Sequence, residues 1–387
     1  MGDEPVVALA VNVGSSSLKL SLHDAGVALG DDGDLPPAPL WAATCAPPFD
    51  ALPALLASTW TDPGAPIREP ASIAAVGHRV VHGGAEHRTS AVVTAEVREA
   101  ITRSAASAPA HNGLELAAVD AVTRLLGPDV PQVAVFDTAF HDTLPPSAYT
   151  YAGPHAWLAM GIRRYGFHGV SHAYASRRAA FMLGRDVGAL WVVTCHLGGG
   201  CSLAAVRGGR SVDTTMGFTP LDGVPMATRA GSVDPGILLH LLRTGATGAE
   251  LDHILNYESG LAGLSGLSGE MRELLAAAAA GHARAELALG VYVHRLRQAV
   301  AATAASMNGI DALVFTGGVG ERAAVVRART CDGLGFLGLE IDAAANAACA
   351  GDAVISAPSS RAAVVVVRSQ ENWMVAREAV RVAGRSA

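Results

Sequence analysis

The stretch PVVALAVNVGSSSLKLSLHD, residues 5–24, decides the fold class. Residues 5–12 are a continuous apolar run rich in Val, which predicts a buried strand. Gly14-Ser15-Ser16 turns the chain, and Leu18-Lys19-Leu20-Ser21-Leu22 alternates as a second strand, so the pair is expected to form a hairpin. The same design returns at ALWVVTCHLGGGCSLAAV, residues 189–206. Here the apolar run ends on His196, where the first copy has Asn12, then turns through Gly198-Gly199-Gly200 into a Ser-Leu strand. The two copies stand close to half the chain apart, which points to an internal duplication.

Outward from these hairpins, strands and helices alternate, the pattern of α/β domains. Residues 30–70 are rich in Pro, Gly and Asp and predict loops or an abbreviated element. Residues 114–126 have helical spacing and stop at Gly127-Pro128, and residues 132–136 form a strand that ends at Asp137. Ser171 is placed to cap a helix running to Gly184. Asp234-Pro235 is an N-cap and first-turn pair leading to Gly245. A long helix is expected over 284–307, and a strand over 311–316 runs into Gly317-Gly318-Val319-Gly320-Glu321. The segments Gly14-Ser15-Ser16-Ser17, Gly198–Gly200 and Gly317–Gly320 are three glycine loops at strand ends, where backbone N–H groups can approach an anion. None matches the P-loop pattern.

Half of the 387 residues are hydrophobic, 16% are charged, and the net charge is −7. This balance supplies cores for two domains and no global field for nucleic acid or an anionic membrane, so neither is an expected partner. Local arginines must therefore bind any anion. The chain has one lysine, Lys19, and it lies in the first glycine-serine loop. The five cysteines (Cys45, Cys195, Cys201, Cys331, Cys349) have no Cys-x-x-Cys spacing. They read as reduced thiols of a cytoplasmic protein, not as a disulfide framework or a zinc site. The acidic N-terminus lacks a signal peptide's pattern, and no apolar run of about 18 residues predicts a membrane span.

His, Arg and Asp recur beside glycine in four further loops. Six ordered motifs carry a resemblance: N-x-G-S-S-S-L-K from Asn12, G-H-R-V-V-H-G-G from Gly77, F-D-T-A-F-H from Phe136, Y-G-F-H-G-x-S-H from Tyr165, M-G-F-T-P-L-D-G from Met216, and T-R-x-G-S-x-D-P from Thr228. Together they resemble the acetate kinase family from about residue 6 to about residue 380. The resemblance implies two similar actin-like, ribonuclease H-like α/β domains with a nucleotide cleft between them. The expected domains are 1–138 with 373–387, and 139–372. It implies reversible transfer of phosphate from ATP to acetate, with Mg²⁺ as cofactor, Mn²⁺ as its substitute, and a homodimer. Propionate or another short acid is the near alternative substrate. A nucleotide-binding protein of the same fold with weakened catalysis is the alternative of a different class.

The chemistry agrees with the motifs. A carboxylic acid with a pKa of roughly 4 to 5 is already ionised at neutral pH and needs no base. The obstacle is repulsion between carboxylate and triphosphate, which arginines, histidines and Mg²⁺ offset. By resemblance, Arg79 holds the acid, and Val81, Ala110, Phe167 and Pro220 wall its apolar part. Arg229 and His168 meet the transferring phosphoryl group, and Asp137 positions metal or substrate. Asn12 and Glu371 hold the metal. Lys19, His196, Leu197, Gly198, Gly199, Gly200, Gly318, Val319, Gly320, Glu321 and Arg322 face the nucleotide, and Glu270-Met271-Arg272 flanks adenine. Four places depart from the family pattern: Gly199 and Arg322 each stand where it has Asn, Glu270-Met271-Arg272 replaces D-F-R, and Ser369-Gln370-Glu371-Asn372 replaces a Thr-Asn-Glu-Glu type sequence. Ala110 stands where Leu is common, which is expected to leave room for propionate.

Overall fold

The computed structural model describes residues 6–14, 18–26, 35–45, 51–104 and 112–384, and these divide between two units. Unit 1 gathers Met1–Asp142, Phe167–Val170 and Gln370–Ala387; unit 2 gathers Thr143–Gly166 and Ser171–Ser369.

In unit 1 the expected hairpin is present. Strand β1 (Val7–Val13) pairs antiparallel with β2 (Leu18–Asp24), and Asn12 lies opposite Lys19. With β3 (Trp41–Cys45), β4 (Ile73–Val80), β5 (Ala91–Val92) and β6 (Gln132–Phe136), the sheet order is β3-β2-β1-β4-β6-β5. Strands β1, β4 and β6 run parallel. Alternation along β1 divides the core. Val7, Leu9 and Val11 face one cluster with Leu52, Leu56, Ala118 and Val122 from helices Leu52–Thr61 and Asn112–Leu126. Ala8 and Ala10 face the other, against Val375, Ala376 and Ala379 of helix Glu371–Ala383. Small side chains let that last helix lie close to the sheet. A Cβ built on Gly77 would stand 2.5 Å from the Val375 carbonyl oxygen.

Residues 30–70 are more ordered than their composition predicts, since β3 and helix Leu52–Thr61 lie within them. The apolar pair Leu52 and Leu56, one helical turn apart, provides the buried face, and the nearby proline sits in the first turn, where it costs no hydrogen bond.

Unit 2 repeats this topology. Strands β7 (Trp191–Leu197), β8 (Cys201–Arg207), β9 (Arg210–Thr214), β10 (Ala312–Thr316), β11 (Ala353–Val354) and β12 (Ala363–Val366) follow the order β11-β12-β10-β7-β8-β9. Read from β9, this is the unit 1 order, with an antiparallel opening hairpin and parallel β7, β10 and β12. The molecule thus has two similar α/β domains. Asp234 caps helix Pro235–Arg243, accepting from the Gly236 N–H, and the long helix spans Ala283–Ala305. Two expectations change. The third glycine loop is a short helix, Gly317–Arg322, starting directly from β10. Ser171 is not a cap, because helix Gly169–Met182 begins two residues before it. No helix among the described residues is long and apolar enough to cross a membrane.

The close packing at Gly77 predicts that Gly77→Ala destabilises the protein by about 1–3 kcal/mol through overpacking. Urea unfolding midpoints of the two proteins measure this, and equal midpoints would contradict the close approach of helix and sheet.

Candidate functional site

Open parallel sheets gather ligand-binding groups at the carboxyl ends of their strands. In unit 1 those ends carry Asn12 on β1, Arg79 on β4 and Asp137 just after β6, with Asn12 opposite Arg79 in the ladder. Arg79 donates from Nε to Asp137 Oδ1 at 3.0 Å, from Nη2 to Asp137 Oδ2 at 2.5 Å, and from Nη1 to Asn12 Oδ1 at 3.2 Å. Glu371 Oε1 lies 3.9 Å from Arg79 Nε. Asn12 donates to Asn372 Oδ1, and Asn372 donates to Ser21 Oγ, so the opening hairpin is tied to helix Glu371–Ala383. Burial works against the charge of Arg79, but the Asp137 and Glu371 carboxylates outweigh it and hold its pKa above the ordinary value. Burial raises the Asp137 carboxyl, while the adjoining guanidinium opposes that rise.

Asp137 also organises the Phe167-His168-Gly169 corner. Its Oδ2 accepts from the His168 backbone N–H at 3.3 Å, and its carbonyl accepts from Gly169 N–H at 2.9 Å. His168 has φ 55°, a left-handed conformation that a non-glycine residue adopts at a cost. A Cβ on Gly169 would stand 2.2 Å from the Asp137 carbonyl oxygen, so this corner requires glycine. Phe167 is buried, edge-on to the His82 ring at 5.5 Å, and His141 Nε2 bonds its carbonyl. Val81 follows β4, buried, and donates its N–H to Glu115 Oε1 at 3.0 Å. Ala110 lies outside the described residues. Lys19 is exposed on β2.

Unit 2 collects the other set. His196, next to last in β7, lies opposite Thr316 of β10, and its Nδ1 bonds Ser171 Oγ at 2.8 Å. Leu197 is still in the strand. Gly198 to Gly200 close the hairpin with a 2.8 Å bond from Gly198 N to Gly200 O. The Gly199 carbonyl accepts from Ala227 N–H at 3.1 Å, which ties this turn to the segment carrying Arg229. Arg229 Nη1 reaches the Pro220 carbonyl at 3.4 Å. Gly260, at φ 60°, lets the neighbouring helix start against this segment, since a Cβ there would stand 2.2 Å from Met226 O. Gly269 leaves 2.5 Å between its own Cβ position and Ala227 O, which brings Glu270 to the same loop. Gly317, at φ 76°, leaves 2.8 Å to Leu197 O, which sets the two glycine segments side by side. Arg322 folds back over Gly318, since a Cβ there would meet its Nη2 at 2.5 Å.

Three predicted positions do different work from their neighbours. Met271 is buried in the core, leaving Glu270 and Arg272 exposed. Glu321 Oε1 accepts from Ser369 N–H at 2.9 Å. Val319 belongs to the short helix. Sequence reasoning gave no role to Glu115, Asn372 or Arg327. Arg327 is buried and donates to the carbonyls of Gly320 and Glu321, fixing the end of the short helix. A charged residue inside an apolar helical stripe is the signal that marks Glu115.

Against this geometry, the sequence pattern of the acetokinase family matches residues 51–377. The chain belongs to the acetokinase family. It is similar to an acetate kinase of Gloeobacter violaceus, 55% identical over 313 residues, which cover 81% of this chain and 77% of that protein. Among solved structures it is similar to the acetate kinase of Porphyromonas gingivalis, with TM-score 0.86, 36% identity, and 97% and 99% of the two chains covered. It is equally similar in fold to a propionate kinase of Francisella tularensis, with TM-score 0.86, 34% identity, and 97% and 99% covered.

For acetokinases the metal question can be put to this donor set. Asn12 and Glu371 carry hard oxygens, the donor type that Mg²⁺ takes, and in this structure Asn12 Oδ1 accepts from Arg79 and Glu371 Oε1 lies near it. The described residues hold no cluster of three His, Cys, Asp or Glu side chains, and Mg²⁺ needs none, because it keeps waters and shares substrate phosphates.

Removing one partner of a buried ion pair costs about 3–5 kcal/mol, whereas an exposed pair contributes about 0–1 kcal/mol. Asp137→Ala should therefore destabilise far more than Asp142→Ala, whose partner Arg88 is exposed. Denaturant midpoints compare the two. Similar losses would contradict the organising role of Asp137.

Proposed function

We infer that this chain is an acetate kinase that transfers the γ-phosphoryl group of ATP to acetate, reversibly, giving acetyl phosphate and ADP. The observation that carries the reading is the state of Arg79. A guanidinium has five N–H donors, and three of them are engaged by Asp137 and Asn12. One N–H remains on each terminal nitrogen to donate to a carboxylate. Both Asp137 oxygens accept from Arg79 or from the His168 backbone, so Asp137 is a poor candidate for a base. That suits an acceptor already ionised and disfavours a sugar hydroxyl.

Arg79 orients the acid, and Val81, Phe167 and Pro220, with Ala110, bound its apolar end. His168 and Arg229 stabilise charge on the transferring phosphoryl group, and Asp137 fixes Arg79 and the backbone of His168. Lys19, His196, Leu197, the Gly198–Gly200 turn and the segment Gly318 to Arg322 bind the nucleotide, with Glu270 and Arg272 beside the base. Arg322, folded over Gly318, supplies a charge where other family members have an amide. Asn12 and Glu371 hold Mg²⁺, which when bound neutralises phosphate charge. Mn²⁺ is the expected substitute. The reading involves no nucleic acid and no membrane. Propionate is the second substrate to test, because a propionate kinase shares this fold with the same TM-score, 0.86, as an acetate kinase.

A hydroxamate assay across short carboxylates with ATP, GTP and pyrophosphate as donors tests the activity. Arg229→Ala should lower kcat by about 10³-fold, as for other arginines that meet phosphoryl charge, and Arg79→Ala should also raise KM for the acid. Near-wild-type rates in both variants would remove these loops from the active site.

A homodimer is the proposed assembly, and Ile237 and Leu242 on helix Pro235–Arg243, with Ile254 and Tyr257 on helix Gly248–Tyr257, are exposed apolar side chains for it to cover. Ile237→Arg with Leu242→Arg should convert a dimer to a monomer in sedimentation. A dimer that survives both changes uses another surface.

A further inference from the structure

Glu115 belongs to no motif, yet it touches the acid-binding strand end. It lies in the first turn of helix Asn112–Leu126 and is 1% exposed. Its Oε1 accepts from the Val81 N–H, two residues beyond Arg79. Its Oε2 is buried and has no hydrogen-bond partner among the described residues. An ionised carboxylate is costly in such a place unless each oxygen is bonded, whereas a neutral carboxyl is tolerated.

The charges acting on Glu115 are Arg79 at the end of β4 and Asp137 after β6. His78 on the same strand bonds Gln132 at 2.7 Å, and burial lowers it to about 4, so it is neutral near pH 7. The neighbouring helices bury Val97, Ala100 and Ile101 from Ala95–Ser104, and Leu52, Leu56 and Thr59 from Leu52–Thr61, and the charge that Ala95–Ser104 brings to the Glu115 helix, Arg98, is paired with Asp120 at 2.7 Å.

We propose that Glu115 is a positioning residue for the acid substrate: its carboxyl fixes the Val81 backbone next to Arg79 and sets the charge that the incoming carboxylate meets. The proposal rests on the acid-kinase reading above. Burial pushes Glu115 up to about 8, with the Val81 N–H and Arg79 opposing the rise. Below that pH the carboxyl is neutral and Arg79 presents its full charge. Above it, a second anion stands near the substrate carboxylate and weakens its capture. The sign is therefore an acid KM that rises with pH through about 8.

The experiment measures KM for acetate and for ATP from about pH 6.5 to about pH 9 in wild type, Glu115→Gln and Glu115→Leu. Glu115→Gln keeps an acceptor for Val81 N–H and cannot ionise. Its acetate KM near pH 7 should stay within about twofold of wild type, and the alkaline rise should vanish. Glu115→Leu leaves the Val81 N–H unbonded. It should raise the acetate KM about tenfold or more while the ATP KM stays within about twofold. A purely structural role would lower active protein without splitting the two KM values. Should Glu115→Leu fail to fold, the Glu115→Gln pH profile decides alone. An alkaline rise retained in Glu115→Gln, or an unchanged acetate KM in folded Glu115→Leu, overturns the proposal. A wild type with no acid-dependent turnover overturns the parent reading and this one with it.

Discussion

The buried pair between Arg79 and Asp137 is the contact on which the unit 1 site depends. It joins the ends of two parallel strands, and the same carboxylate holds the His168 backbone. Asn12 and Glu371 then gather around the guanidinium from β1 and from the last helix. Taking these charges from water costs several kcal/mol per ion, and the pair offsets that only with good geometry and further hydrogen bonds. The bidentate contact and the Asn12 bond provide both. Stability is not the evident gain, since apolar groups would fill the space as well. The gain is an arginine that stays charged and aimed in a site sheltered from water, ready for an anion.

Unit 2 solves its own problem with missing side chains. Gly260, Gly269 and Gly317 each allow a backbone approach that a Cβ would block. Together they bring Arg229, Glu270 and the short helix after β10 against the Gly198–Gly200 turn. Arg327 completes the arrangement from beneath, holding two carbonyls at the end of that helix. Here packing density, not charge pairing, brings the polar groups together.

The repeated topology explains why two different chemistries share one plan. The opening hairpin ends in Asn12 in one unit and His196 in the other, and each lies beside a parallel strand that delivers its second group, Arg79 or the glycine helix. Strand ends present side chains and free backbone groups at fixed spacing, so a duplicated frame can be refitted by changing a few residues.

The hairpins, the duplication, the strands before Asp137 and Gly317, and the motif residues were legible without coordinates, because these rest on local periodicity and on residue types with special chemistry. The sequence could not reveal helix Leu52–Thr61, whose buried pair Leu52 and Leu56 is masked by a Pro- and Ala-rich setting. Nor could it reveal that Ser171 serves His196, or that Glu321 serves a backbone N–H, since partners remote in sequence are chosen only when strands register. Glu115 shows the reason most plainly. Its place in helix Asn112–Leu126 follows from local pattern, but its burial beside Val81, which pushes its carboxyl upward, comes from the packing of that helix on β4.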